Sequence, residues 1–271
     1  GVLNTGTILA TAQAHPSASA WGMSLNSRTM LGGVSNTGTI AAMANASGSH
    51  AFAGGIGIGV ESSIVRFSDG SPSGGVTNSG SILASATLTA GSAVTAVGID
   101  AQFRTFNSGI NNSGTISASA SANGGTANAV GVSLAGRVFN GVLANSGTIA
   151  ATGSGTLAGD IARATGLSIA VRSFIGNISN SGTIIARAGD PLHCGQAIGI
   201  RVGTLNTFAG NIVNSGTIAG LVVAGTGNGT GVQVTNGGVT IVNSGVIEGS
   251  RFGIDASDES AAPRIDQTGG T

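Results

Sequence analysis

Cysteine occurs once, at Cys194, so no disulfide can form within the chain. Lysine and tyrosine are missing altogether, and tryptophan occurs once. Charged residues make up 7% of the 271 residues, against about 25% in an ordinary globular domain. All ten basic residues are arginine and ten acidic residues balance them, so net charge is zero. That balance gives no footprint for nucleic acid and no patch for an anionic membrane. No apolar run approaches the ~20 residues of a membrane-spanning helix. The opening stretch, Gly1-Val2-Leu3-Asn4-Thr5-Gly6, lies inside a repeat and not in a secretory leader, which reads as a mature or excised segment. A long chain almost without cysteine fits either the cytosol or a protein that crosses an envelope unfolded. Scarce charge can also accompany disorder, but ordered repetition of aliphatic positions argues against it here.

What is present is glycine, 49 residues of it, and a repeat. Asn-Ser-Gly-Thr-Ile starts at Asn112, Asn145, Asn180 and Asn214, with variants at Asn4, Asn36, Asn78 and Asn243. Successive copies are 32, 42, 34, 33, 35, 34 and 29 residues apart. A degenerate ninth copy runs from Ile265 to Gly269, placing a final turn near Gln267. Fixed-period self-similarity of this kind marks a repeat architecture. The whole chain, residues 1–271, therefore reads as one repeat domain.

Two residues before each Asn stands an aliphatic residue, from Val2 to Ile241, and four residues after it always an Ile, from Ile8 to Ile247. Apolar positions on either side of Asn-Ser/Thr-Gly read as strand, tight turn, strand, with the Gly expected to take positive φ. Beyond the Ile, alternation continues: Ile116, Ala118, Ala120 and Ala122 share one face of a half-buried strand. A second motif, Gly followed by an apolar residue, recurs later in each copy, as in Gly98-Ile99 and Gly166-Leu167. The segment between the two motifs is the variable one. Three short strands per repeat cannot bury their apolar face alone, but stacked about 4.8 Å apart they can. The predicted fold is all-β: a parallel β-helix (β-solenoid) of about eight coils of ~33 residues. The crossover rule favours the right-handed form. The column Asn4, Asn36, Asn78, Asn112, Asn145, Asn180, Asn214, Asn243 is expected to be structural, a ladder of stacked amides at the turn.

Six residues before the Asn lies a partial aromatic column, Phe106, Phe139, Phe174 and Phe208, with Met30 in its first place. Phe67 joins it if 68–73 are an insertion, which also accounts for the 42-residue spacing. Two residues before that column stand Arg28, Arg104, Arg137 and Arg172. One reading makes this a corner, Phe closing the core and Arg solvated outside. The other makes Phe and Arg together an exposed stripe that grips a glycan or an anionic partner.

Catalytic chemistry finds little support. Parallel β-helices include carbohydrate-cleaving enzymes with clustered carboxylates, but here the acids fall at different repeat positions. Asp100 and Asp255 share a column about five coils apart, and Asp255, Asp258 and Glu259 read as a solvated end. His15, His50 and His193 fall in the variable segment; two neighbouring histidines without a third ligand make a weak metal site, and His193-Cys194 adjacency does not activate a thiol. No calcium-binding Gly-Gly-x-Gly-x-Asp repeat occurs, and the glycine pairs lack the Lys of a phosphate loop. No metal or cofactor is expected, and the chain is read as non-enzymatic. The outward Thr column from Thr7 to Thr217 resembles one row of an ice-binding face, but β-propensity accounts for it.

Repeats of this form, followed by Ala-Val-Gly-Ile (Ala96–Ile99) or Ala-Ile-Gly-Ile (Ala197–Ile200), resemble the passenger region of bacterial autotransporters and filamentous haemagglutinin-like adhesins. The resemblance spans essentially the whole chain. It implies an extracellular rod on the bacterial cell surface, working in adhesion, aggregation or biofilm. Host or bacterial surface glycans or proteins are the partners it implies, and a membrane would be met only through a C-terminal barrel that these residues do not include. No signal peptide and no Arg-Gly-Asp motif is present, and no catalytic residue carries over. The alternative is a structural filament subunit, its open strand edges stacked end to end.

Overall fold

Each Asn-centred turn closes a short strand that lies directly above its counterpart in the preceding coil. The computed structural model describes residues 1–26, 32–59, 75–157, 159–203, 206–235, 238–256 and 264–268. Among these there is no helix, and a coil consists of three strands. In the coil that opens at Asn112 they are Ile110–Asn112, Thr115–Ala122 and Thr126–Asn140, here termed the turn, outbound and return strands. Every pairing is parallel, and equivalent residues stack: Asn112 on Asn145, Ile116 on Ile149, Phe139 on Phe174. Turn strands form one nine-stranded sheet, from Val2–Asn4 to Arg264–Gln267. Outbound and return strands join into a second sheet of fifteen, because Thr183–Val202 and Thr217–Val234 pass from one to the other unbroken. His193 and Cys194 thus belong to a continuous strand with a register shift, not to a loop.

The expected eight coils become a solenoid of about seven turns of about 33 residues. Seven full turns separate Asn4 from Asn243. The eighth returns after only 24 residues to Gln267, with four-residue strands Val246–Gly249 and Phe252–Asp255. Without an alanine run after Ile247 the outbound arm is not built.

Two cores explain the cross-section. In the wide part, Ile, Val, Leu and Phe from all three strands pack together, including Ile116, Ile110, Leu134 and Phe139, each 0–1% exposed. Burying such a side chain stabilises by about 1.5–3 kcal/mol. In the narrow part, alanines of the outbound strand (Ala118, Ala120, Ala122) face alanines of the return strand (Ala127, Ala129). Only methyl groups separate the strands there, so the coil thins to an arm. Where the return strand leaves the arm stands the Gly of the second motif. A Cβ at Gly131 would lie 2.5 Å from the Gly166 carbonyl oxygen and 2.6 Å from Ile149 Cγ2, so no larger residue fits. The bend between arm and body is therefore fixed by a glycine column.

One expectation about the turn needs correcting. The motif glycines Gly38, Gly80, Gly114, Gly147, Gly182, Gly216 and Gly245 do not have positive φ. Their requirement is proximity: a Cβ on Gly147 would come 2.1 Å from the Gly114 carbonyl oxygen of the coil before. Stacked backbones, not a left-handed turn, demand glycine there.

Candidate functional site

The asparagine column is buried and fully bonded. Each Nδ2 donates to the Oδ1 of the next Asn, as from Asn112 to Asn145 at 2.8 Å and from Asn36 to Asn78 at 2.7 Å. The same nitrogen lies 3.2 Å from the carbonyl of its own turn Gly and 3.1 Å from that of Thr148 in the following coil. Asn4, Asn180, Asn214 and Asn243 repeat the pattern, and Gln267 takes the place of a ninth amide, accepting from Asn243 at 2.9 Å. These side chains are committed to the fold and cannot reach a ligand.

The aromatic column lies inside. Phe106, Phe139 and Phe174 are 0% exposed and Phe208 9%. Phe139 and Phe174 stack at 4.9 Å with 13° between planes, and Phe174 and Phe208 at 4.9 Å with 6°. The stripe in which Phe shares a binding surface is thereby corrected for all four: apolar rings with core neighbours on every side are drawn inward, where no partner touches them. Phe67, Met30 and Arg28 lie outside the described residues. Arg104, Arg137 and Arg172 are exposed on the opposite face of the same strands, one per coil in three successive coils. Among the described residues no carboxylate lies within ion-pair distance of this row; the ion pair of Arg264 with Asp266 lies elsewhere. Like charges about 4.8 Å apart repel, and an anionic partner would relieve that.

The titratable groups considered for chemistry are dispersed. Among the described residues no three of His, Cys, Asp and Glu come together to hold a metal. His50 pairs in register with Ser17, while His15 Nδ1 faces Ser47 Oγ at 3.1 Å. The side chains of His193 and Cys194, and residues Asp258 and Glu259, lie outside the described part. Asp100 and Asp255 do share one row, separated by Ser133, Ser168, Arg201 and Gln233. Asp160 is a structural anchor that sequence reasoning passed over. It is 1% exposed and accepts backbone N–H from Gly125 at 2.6 Å and from Thr156 and Leu157 at 2.8 Å. Burial pushes its carboxyl up, but those amides, led by Leu157, outweigh burial and hold it below the usual carboxylate range.

Sequence reasoning also passed over the outer surface of the glycine bend. There the return strand folds away from the arm, and Val97, Ile198 and Thr230 are 6%, 2% and 3% exposed although they belong to neither core. Near the last coils this concavity opens into a hollow of about 450 Å³ lined by Gln196, Asn228, Gln233 and Phe252, among others. Gln196 and Asn228 follow Asn128 and Arg163 in one polar row whose residue changes from coil to coil, so a search for a repeated residue does not gather them. No family model, curated protein or solved structure matches the chain, and what is shown is the fold, a parallel β-solenoid rod.

Proposed function

We propose that this chain is a non-enzymatic adhesive rod, displayed on a bacterial cell surface or secreted in the manner of an autotransporter passenger, that promotes adhesion, aggregation or biofilm. The observation that carries the reading is the exposed row of Arg104, Arg137 and Arg172, repeated on three successive coils of the scaffold. Seven turns at the strand spacing give a rod roughly 34 Å long. Along it, each outward row offers one side chain per coil, which suits a partner that is itself repetitive. Specificity in such a design resides in the rows, while the ladder and core keep them aligned.

Display on non-adherent bacteria tests this. Cells carrying the chain should settle on glycan-coated or cell-coated surfaces, or aggregate, where cells with an empty display scaffold do not. Replacing Arg104, Arg137 and Arg172 by Gln should reduce the effect and its sensitivity to salt. Cells indistinguishable from the control would remove the adhesive reading. Long fibres of purified chain in electron micrographs would favour the structural filament instead.

A further inference from the structure

The row that floors the glycine bend has a distinctive order. It runs from Trp21 through Gly54, Val97, Val130, Thr165, Ile198 and Thr230 to Phe252, one residue per coil without a break. Aromatic rings thus close both ends of an apolar and hydroxyl floor. At the first end the Trp21 ring lies flat over glycine: a Cβ at Gly54 would come within 2.2 Å of it and one at Gly57 within 2.5 Å, and Phe52 packs beside it at 4.8 Å. At the other end Phe252 is 40% exposed, with the Arg251 guanidinium 4.8 Å from its ring centre.

The walls beside Phe252 are polar and planar. Gln196 and Asn228 stand on the arm side, Gln233 and Asp255 on the body side, with Gln233 donating to Asp255 at 3.3 Å. Arg251 donates to Asn228 Oδ1 at 2.6 Å. A second hollow of about 550 Å³, which also counts Gln196 and Asn228 in its lining, continues past Arg163.

We propose that this groove binds a linear, neutral glycan lying along the solenoid axis. Side-chain amides offer donor and acceptor together, the pairing that vicinal hydroxyls require. An exposed ring beside an apolar floor receives the C–H face of a sugar, as in ligand sites built of aromatic walls and few polar groups. Charges in the groove are mixed, Arg163 and Arg251 against Asp160 and Asp255, which disfavours a polyanion. A peptide strand lying along the solenoid axis is a poor occupant, because it would cross the return strands, whose backbone groups between the first and last coils are already paired on both sides, and could add no ladder to them. The proposal rests on the adhesive reading for its purpose and on the groove alone for its chemistry.

Titration calorimetry of the purified chain with neutral hexaoses of glucose, mannose and galactose tests it. At least one should bind. Phe252→Ala, and separately Asn228→Trp to fill the groove, should weaken that binding by about tenfold or more with the thermal midpoint unchanged. Arg137→Gln together with Arg172→Gln should leave it intact. No binding by any neutral hexaose overturns the proposal, as does binding that both groove variants leave untouched. Binding of a sulfated hexaose alone, abolished by the two Arg→Gln changes, also overturns it while preserving the adhesive reading. Loss of surface adhesion with groove binding retained would strike that reading and spare the groove.

Discussion

Asn145 donates from Nδ2 to Oδ1 of Asn180 at 2.8 Å, and Asn180 does the same to Asn214 at 2.8 Å. The ladder is polar: each amide gives a hydrogen to the coil after it and receives one from the coil before. Carboxylate in place of amide therefore fits one side and not the other.

Asn145→Asp should put a carboxylate oxygen against Asn180 Oδ1 with no hydrogen between them, costing about 2–4 kcal/mol at neutral pH. Protonation restores a donor, so the new carboxyl has a raised folded-state pKa. Stability it supports is then full below the unfolded carboxyl value of about 3.9 and lost as pH rises through the folded value. Thermal midpoints of variant and parent should draw together from pH 7 to pH 4. An equal deficit at both pH values would refute a donor role for this amide.

The two turn glycines Gly147 and Gly6 occupy the same motif position, but a Cβ on Gly147 meets a backbone oxygen at 2.1 Å and one on Gly6 meets nothing within 4 Å. Gly147→Ala should destabilise by about 1–3 kcal/mol or more, and Gly6→Ala by less than about 0.5 kcal/mol. Equal losses in urea unfolding would return the explanation to local turn conformation.

Phe139 lies between Phe106 at 5.2 Å and Phe174 at 4.9 Å, fully buried. Phe139→Ala should cost about 3–5 kcal/mol, while Arg137→Ala, two residues away and exposed, should change stability by no more than about 0.5 kcal/mol. Comparable unfolding midpoints for the two variants would contradict the inside–outside assignment.

Asp160→Asn weakens the charge-assisted bonds that tie residues 124–125 to 156–157, at about 1–3 kcal/mol at pH 7. Because the folded carboxyl is held low, its contribution is present above the unfolded value of about 3.9 and fades as pH falls through the folded one. The gap between parent and variant should close in acid. A gap that widens below pH 4 would show that the amides do not stabilise the ionised form.

Much of the fold was legible because a solenoid turns a distant contact into a periodic one. Asn112 and Asn145 touch, and their identity at matching positions announces it. Alternation after each Ile likewise placed the outbound alanines on one face, since period two fixes which methyl groups face inward, while their packing against the return strand's alanines came with the structure. The site was less legible for the same reason. Gln196 and Asn228 stand in a row that changes residue from coil to coil (Asn128, Arg163, Gln196, Asn228), and Phe252 ends a row of smaller residues, so no constant residue marks them.

By itself, then, the sequence determined the strand register, the amide ladder and the near-constant coil length, because each depends on like residues meeting like one coil away. Tertiary structure alone decided three matters: that phenylalanine lies inside and arginine outside, why the turn needs glycine, and where the surface is concave. These depend on how closely separate backbone segments approach, as Gly147 to Gly114 and Gly131 to Ile149 do, and that distance is set only when all the strands of a coil and its neighbours are in place.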